Sequence, residues 1–337
     1  MTASRIFILT LLAMLAFASN SLLCRAALKQ TGIDAATFTF IRIFSGALAL
    51  WLLMNVRRRI TIDRTATPLA AGTKTRVGFP SPSSSSKRRG DPFSPSETVR
   101  RRVLGWKIVG NWISALALFT YAAAFSFAYV DLSAGTGALL LFGAVQATMI
   151  FWGLHKGERL DAIQIAGLVV AVTGLVILVF PGLSAPPLIG SILMLGSGVA
   201  WGVYSLRGKG VQNPASVTAG NFVRAVPFSV VVWIFFLPWA HVDPAGVGYA
   251  IISGAIASGL GYVIWYSALP GLKAASAATV QLSVPVLAAT GGILLLGESI
   301  TLRYVLASVA VLGGIALVVV TLHSQDQTAS RVEESRS

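Results

Sequence analysis

Of the 337 residues, 55% are hydrophobic and 11% charged, where ordinary soluble domains carry roughly 25% charged residues. That balance excludes a water-soluble globular surface. The net charge of +14 does not point to nucleic acid either, because between Arg57 and Lys107 there are 13 Lys or Arg against 3 acidic residues, so one stretch holds most of the excess.

In chain order, the first apolar run covers 6–24, between Arg5 and Arg25, with no ionised side chain inside it. It is long enough for the roughly 20 residues that cross a bilayer as a helix. Its Ala16-Phe17-Ala18 also fits a signal-peptidase pattern, but the internal repeat described below favours a retained span. A second run, 35–54, is clean except for Arg42. The segment 57–105 is rich in Ser, Pro and Arg without a periodic apolar face and is expected to be a disordered basic loop.

Spans follow at 108–130, 133–154 and 162–180; the prolines of "PGLSAPP" (181–187) then separate the fifth from a sixth at 188–206. A seventh, 216–240, is interrupted only by Arg224, and 245–268, 274–296 and 303–322 complete ten. The tail 324–337 is expected to be disordered. Runs this long and unalternating exclude barrel strands. The expected fold is all-α, a polytopic membrane protein.

Cytoplasmic loops gather Lys and Arg. With the N-terminus inside, one side collects 21 basic residues and the other only Arg25, Lys29 and Arg303. Both termini are therefore expected in the cytoplasm, in a multi-pass protein of the cell (inner) membrane.

The chain is written twice. An offset of 140 pairs Gly157-Glu158 with Gly297-Glu298, Leu160 with Ile300, Gly174 with Gly314, Phe125 with Trp265, Ala128 with Ala268 and Leu132 with Leu272. Arg42 and Arg224 are 182 apart, the longer first copy being accounted for by the basic loop. Further upstream, Phe17–Asn20 resembles Trp201–Tyr204. The copies divide as 1–155 (spans one to four) with 156–186 (span five), then 187–323 (spans six to ten). An odd number of crossings per copy turns the second upside down, giving an inverted repeat, the architecture of alternating-access carriers.

Five plus five spans, Trp201-Gly202 in the sixth, an arginine in the second and seventh, and Gly-Glu after the fourth and ninth together resemble the EamA family of the drug/metabolite transporter superfamily. The resemblance covers nearly the whole chain except 57–105 and the tail after 323. It implies a ten-helix carrier, often a metabolite or amino-acid exporter, with a central cavity between the halves.

Arginine at the bilayer centre costs roughly 2.5–3.5 kcal/mol. Arg42 and Arg224 therefore read either as anchors bonded to helix-end carbonyls or as attractors for a substrate carboxylate or phosphate. Candidate binding residues are these two with Asn20, Asn111, Trp112, Tyr121, Gln146, Trp201, Tyr204, Tyr262, Trp265, Tyr266 and Gln281, since pockets combine aromatic walls with a few polar groups. Glu158 and Glu298 read as helix-end hydrogen-bonding residues, and Pro285 as a kink in span nine.

No acid lies deep in a span, and the three histidines fall at span ends. That excludes an enzyme site, a metal cluster and a proton-coupled cation pump of the small multidrug type. No phosphate loop is present, so no cofactor is expected. The lone Cys24 staples nothing. The expected activity is secondary transport of a small metabolite, an amino acid or related organic compound, by alternating access and in the export direction. The alternative is a non-transporting membrane anchor or scaffold whose basic loop recruits a partner or anionic lipids. The partners expected are the small-molecule substrate and the bilayer, with no nucleic acid and no signal for an oligomeric state.

Overall fold

The computed structural model describes residues 3–71, 109–157, 161–180, 182, 185–208, 211, 213–272 and 280–334, with backbone alone at 3, 57–71 and 319–334. Every regular element among them is helical, as a chain in lipid requires for its backbone polar groups.

Helices α1 (Ala3–Gln30), α2 (Ala35–Ala71), α3 (Trp112–Ala128), α4 (Ala134–His155) and α5 (Ala162–Val179) come first. Then follow α6 (Leu188–Gly208), α7 (Pro214–Phe235), α8 (Pro244–Ile252), α9 (Gly261–Ala268), α10 (Ser283–Leu296) and α11 (Leu302–Glu334). A π-helical turn, Ser253–Leu260, joins α8 to α9 into one apolar rod. Seven segments are long and apolar enough to cross a membrane: Ser4–Gln30, Ala35–Val56, Ala134–His155, Ala162–Val179, Leu188–Gly208, Pro214–Phe235 and Pro244–Gly271. Trp112–Ala128, Ser283–Leu296 and Leu302–Val318 are shorter apolar helices.

Short polar side chains set the starts, because the first N–H groups of a helix lack intrahelical partners. Asn111 Oδ1 accepts from the Ser114 amide at 2.8 Å to begin α3, and Asp243 accepts from the Ala245 and Gly246 amides to begin α8. Asp161 and Gln164 form a reciprocal capping box at the head of α5. Proline at the first position of α7 and of α8 lacks only an N–H that would have no partner there.

Gly157 and Gly297, repeat mates 140 residues apart, both take positive φ, +94° and +63°, just past the ends of α4 and α10. That backbone conformation favours glycine, which has no Cβ to clash.

Two expectations on segment ends are corrected. Residues 57–71 continue α2 rather than opening an irregular loop, and the tail through Glu334 continues α11. Once an apolar span has nucleated a helix, each further residue adds a backbone hydrogen bond without a new nucleation cost, although Pro68 near the end of α2 opposes it. The rest of the expected loop, 72–105, lies outside the described residues, as do Glu158 and 335–337. Pro285 lies in the first turn of α10, where its missing N–H breaks no bond within that helix; the interruption falls just before it, at Leu282.

Helices with matching places in the two copies pack on one another: α5 against α11, α4 against α10 and α2 against α7. Helix α1 packs against α9 and α10, and α6 against α3 and α4. The α5–α11 contact is made by small residues: a Cβ on Gly174 would meet Ala310 and Val311, and one on Gly314 would meet the Gly167 carbonyl and Ala171. Between helices in lipid, where apolar transfer offers little drive, this close approach of backbones supplies the packing energy.

Candidate functional site

At the centre of the bundle lies a polar cluster held by five elements. Arg42 of α2 is 1% exposed. Its Nη2 donates to the Tyr121 hydroxyl of α3 at 3.0 Å, and its Nε to the Ser258 hydroxyl of the π-helical turn at 3.2 Å. Asn20 of α1 donates to the same tyrosine oxygen at 3.1 Å and accepts from Ser253 at 2.7 Å. The Tyr262 hydroxyl of α9 donates to Tyr121 at 3.2 Å. The guanidinium carbon stands 4.8 Å from the centre of the Phe125 ring and 5.3 Å from that of Tyr121. Such contacts lower the cost of a buried cation without neutralising it.

Beside the cluster stands an aromatic cage. Phe17 meets Trp201, Tyr262 and Trp265 edge-on at 5.9–6.0 Å, and Trp201 lies 4.6 Å from Tyr262 and 5.5 Å from Tyr204. Beyond Tyr204 opens a cavity of about 420 Å³, within the size range of small-molecule sites. It lies between the start of α3, the end of α6, the start of α7 and α9, and its polar lining includes Asn111, Ser114, Tyr204, Arg207, Asn221 and Tyr266. Arg207 brings a positive charge to the rim, donating from Nε to Ser114 at 3.0 Å and from Nη2 to Asn111 at 3.2 Å.

At the other end of α3 stands an ion pair with its own hydrogen bonds. Arg25 of α1 donates from Nη1 to the Tyr129 and Val130 carbonyls at 3.0 and 2.7 Å and pairs through Nε with Glu298 at 3.0 Å. Glu298 also accepts from the Ala134 amide at 2.8 Å. This is the one ion pair among the described residues. Cavity and ion pair thus occupy opposite ends of the same bundle.

A match to the EamA-like transporter family covers residues 188–320. An uncharacterized protein of Pseudomonas aeruginosa is 51% identical over 314 residues, 93% of this chain and 94% of that protein. An uncharacterized transporter of Archaeoglobus fulgidus is 28% identical over 64% of this chain and 79% of its own length. The threonine/homoserine exporter RhtA of Salmonella typhimurium is 33% identical over 43% of this chain and half (50%) of its own. One solved crystal structure, 18% identical, aligns with a TM-score of 0.55 over 92% of this chain and 97% of that chain.

The chain belongs to the EamA-like transporter family. It is an integral multi-pass membrane transporter and not an enzyme.

In this EamA-like transporter the thirteen residues singled out from sequence separate into groups. Asn20, Arg42, Tyr121 and Tyr262 meet in the central cluster, Trp201 and Trp265 in the cage, and Asn111, Tyr204 and Tyr266 at the cavity. Four stand apart. Trp112 is 58% exposed on the outer surface against Phe228, and Gln146 is buried on α4. Gln281 is buried just before α10. Arg224 is half-buried and donates to the Gly220 carbonyl of its own helix at 3.0 Å.

Sequence reasoning missed Ser253 and Ser258, which sit in a run of small residues that reads as a packing face. It also missed the pairing of Arg25 with Glu298, two residues 273 positions apart that no sequence pattern links. Glu298 does make the expected helix-end hydrogen bond, to Ala134.

Proposed function

We propose that this protein is a secondary transporter that moves a small metabolite, an amino acid or related organic compound, by alternating access and in the export direction. The observation that carries this reading is the asymmetry of the bundle, which opens a polar cavity at the start of α3 and is latched by Arg25–Glu298 at its end. A carrier caught with one side open has that shape; a static anchor needs neither part.

The ten-span inverted repeat supports it further. Arg25 ends α1 beside the C-terminus of α3, whereas Arg207 ends α6 beside the N-terminus of α3. The first helices of the two copies therefore run in opposite directions, and with an inverted pair come two arrangements of similar energy, one open to each face. The boundaries are 1–155 and 156–186 for the first copy and 187–323 for the second. With both termini in the cytoplasm of the cell membrane, the cavity faces inward, ready to load an exporter. The similarity to a threonine/homoserine exporter favours the same substrate class and direction.

Purified protein in proteoliposomes, screened for counterflow of amino acids, organic acids and nucleosides, is expected to move at least one of them, and to go on doing so when 72–105 is deleted. No counterflow of any solute by the intact protein overturns the transport reading. Counterflow by the intact protein that is lost with the deletion means that 72–105 takes part in transport. Reporter fusions after α3 are expected to read outside, and a cytoplasmic signal there reverses the orientation.

A further inference from the structure

We infer that the solute is held by a carboxylate at Arg42, and that this carrier selects small organic monoanions whether or not they also bear an amino group. The inference rests on the transport reading above and names the chemistry of its site.

Among the described residues Arg42 Nη1 is buried and has no hydrogen-bond partner, while Nε and Nη2 are spent on Ser258 and Tyr121. The acids whose side chains are described, Asp34, Asp131, Asp161, Asp243 and Glu298, all lie at helix ends or in the turns between helices, and Glu298 is engaged by Arg25. Arg42 is therefore a buried cation with neutral hydroxyls and rings around it but no counter-charge. A charge in that position is unfavourable unless something pairs with it, and a purely structural arginine is normally capped by carbonyls or a carboxylate. Arg25 is capped in that way by two carbonyls and a glutamate. Arg42 is not. A carboxylate reaching Nη1 supplies the missing charge as a charge-assisted hydrogen bond, with the Tyr121, Tyr262 and Ser258 hydroxyls within the same cluster.

A second observation marks the same place. The element that brings Ser253 and Ser258 to Asn20 and Arg42 is π-helical, an irregularity frequent at functional sites. It also lies tight against α2, where a Cβ on Gly254 would meet the Arg42 carbonyl and the Ser45 hydroxyl. A shift of the π-turn relative to α2 is thus felt directly at the arginine.

The chemical class follows from what stands beside Arg42. One guanidinium balances a monoanion and leaves a phosphate dianion half-compensated. No described acid stands near to receive an ammonium group, so an amine adds no ion pair. The rings of Phe17, Trp201, Tyr262 and Trp265, packed on one another beside the cluster, are the apolar surface that the remainder of the solute would meet once they part.

The test uses full-length protein in proteoliposomes with matched probes: each of the twenty amino acids, its amide, and its 2-hydroxy acid. For the solutes carried, the 2-hydroxy acid is expected to move within about threefold of the amino acid and the amide at least about tenfold more slowly, as loss of one charge-assisted bond to a buried partner demands. Arg42→Gln is expected to lose carboxylate uptake at least about tenfold, and Arg42→Lys to recover part of it through a raised KM, since a point charge replaces a planar fork.

Amides carried as fast as acids, 2-hydroxy acids refused, or a folded Arg42→Gln with undiminished uptake each overturn the inference. Movement of nucleosides alone overturns it while leaving the transport reading intact, whereas no movement of any solute removes both. If Arg42→Gln does not fold, the comparison of acid, amide and hydroxy acid on the unaltered protein decides by itself.

Discussion

Arg25 Nε lies 3.0 Å from Glu298 Oε1, although the two residues are 273 positions apart and belong to different copies of the repeat. Through the additional bonds of each partner the pair ties the end of α1 to the end of α3, the head of α4 and the segment after α10. Both side chains are less than a tenth exposed, 9% and 7%, so solvent screens their attraction little.

Glu298→Gln keeps an acceptor for Ala134 but removes the charge, which weakens the closed arrangement by on the order of 1.4 kcal/mol and raises the fraction open at this end about tenfold. The single Cys24, next to Arg25 and fully buried, reports it. A membrane-impermeant maleimide added from this side is expected to label Cys24 about tenfold faster in the variant, by the same population argument. Equal labelling rates show that the ion pair is not a latch.

Neighbouring glycines on α11 are expected to behave oppositely. A Cβ at Gly314 meets the Gly167 carbonyl, the Ala171 amide and its methyl, whereas one at Gly313 meets nothing within 4 Å. Gly314→Ala must push α5 and α11 apart and is expected to cost about 1–3 kcal/mol. Gly313→Ala gains up to about 1 kcal/mol of helix propensity. Thermal unfolding in detergent, followed by size-exclusion profile, orders them as Gly313→Ala above wild type above Gly314→Ala. The reverse order rejects the α5–α11 contact.

How much of this was legible beforehand depended on whether a residue broke the apolar background. Arg42 and Asn20 stood out because a cation and an amide inside a span need partners wherever they point. Trp112 stood out equally and faces outward, because an aromatic ring suits lipid and core alike and the apolar pattern runs all round each helix. Ser253 and Ser258 were hidden by their own smallness. The repeat offset found the Gly157 and Gly297 turns because only backbone geometry demands glycine there. It could not find the Arg25–Glu298 pair, which joins one copy to the other rather than matching them. Nor could composition tell helix from irregular chain over 57–71, where continuation of α2 overrides a polar sequence.

The two arginines that repeat at 182 residues are expected to have different fates on substitution. Arg224 is half-buried and, among the described residues, bonds to the Gly220 carbonyl one turn before it, an anchor that glutamine can replace. Arg224→Gln is expected to stay folded, lose less than about 1 kcal/mol of stability, and keep uptake of every wild-type solute within about twofold. A selective loss of anionic solutes in well-folded Arg224→Gln places the anion site in the second copy instead.

The cavity lies on the pathway only if filling it stops movement. Val217 lines it from α7 and is partly exposed, so a larger side chain at that position extends into open space rather than into packed core. Val217→Trp is expected to leave the size-exclusion profile unchanged while lowering uptake at least about tenfold, because a site of about 420 Å³ cannot hold both an indole and a solute. Val217→Ala, which enlarges the same space, is expected to keep uptake and to admit bulkier solutes. Wild-type rates in Val217→Trp mean that solutes reach the centre by another route.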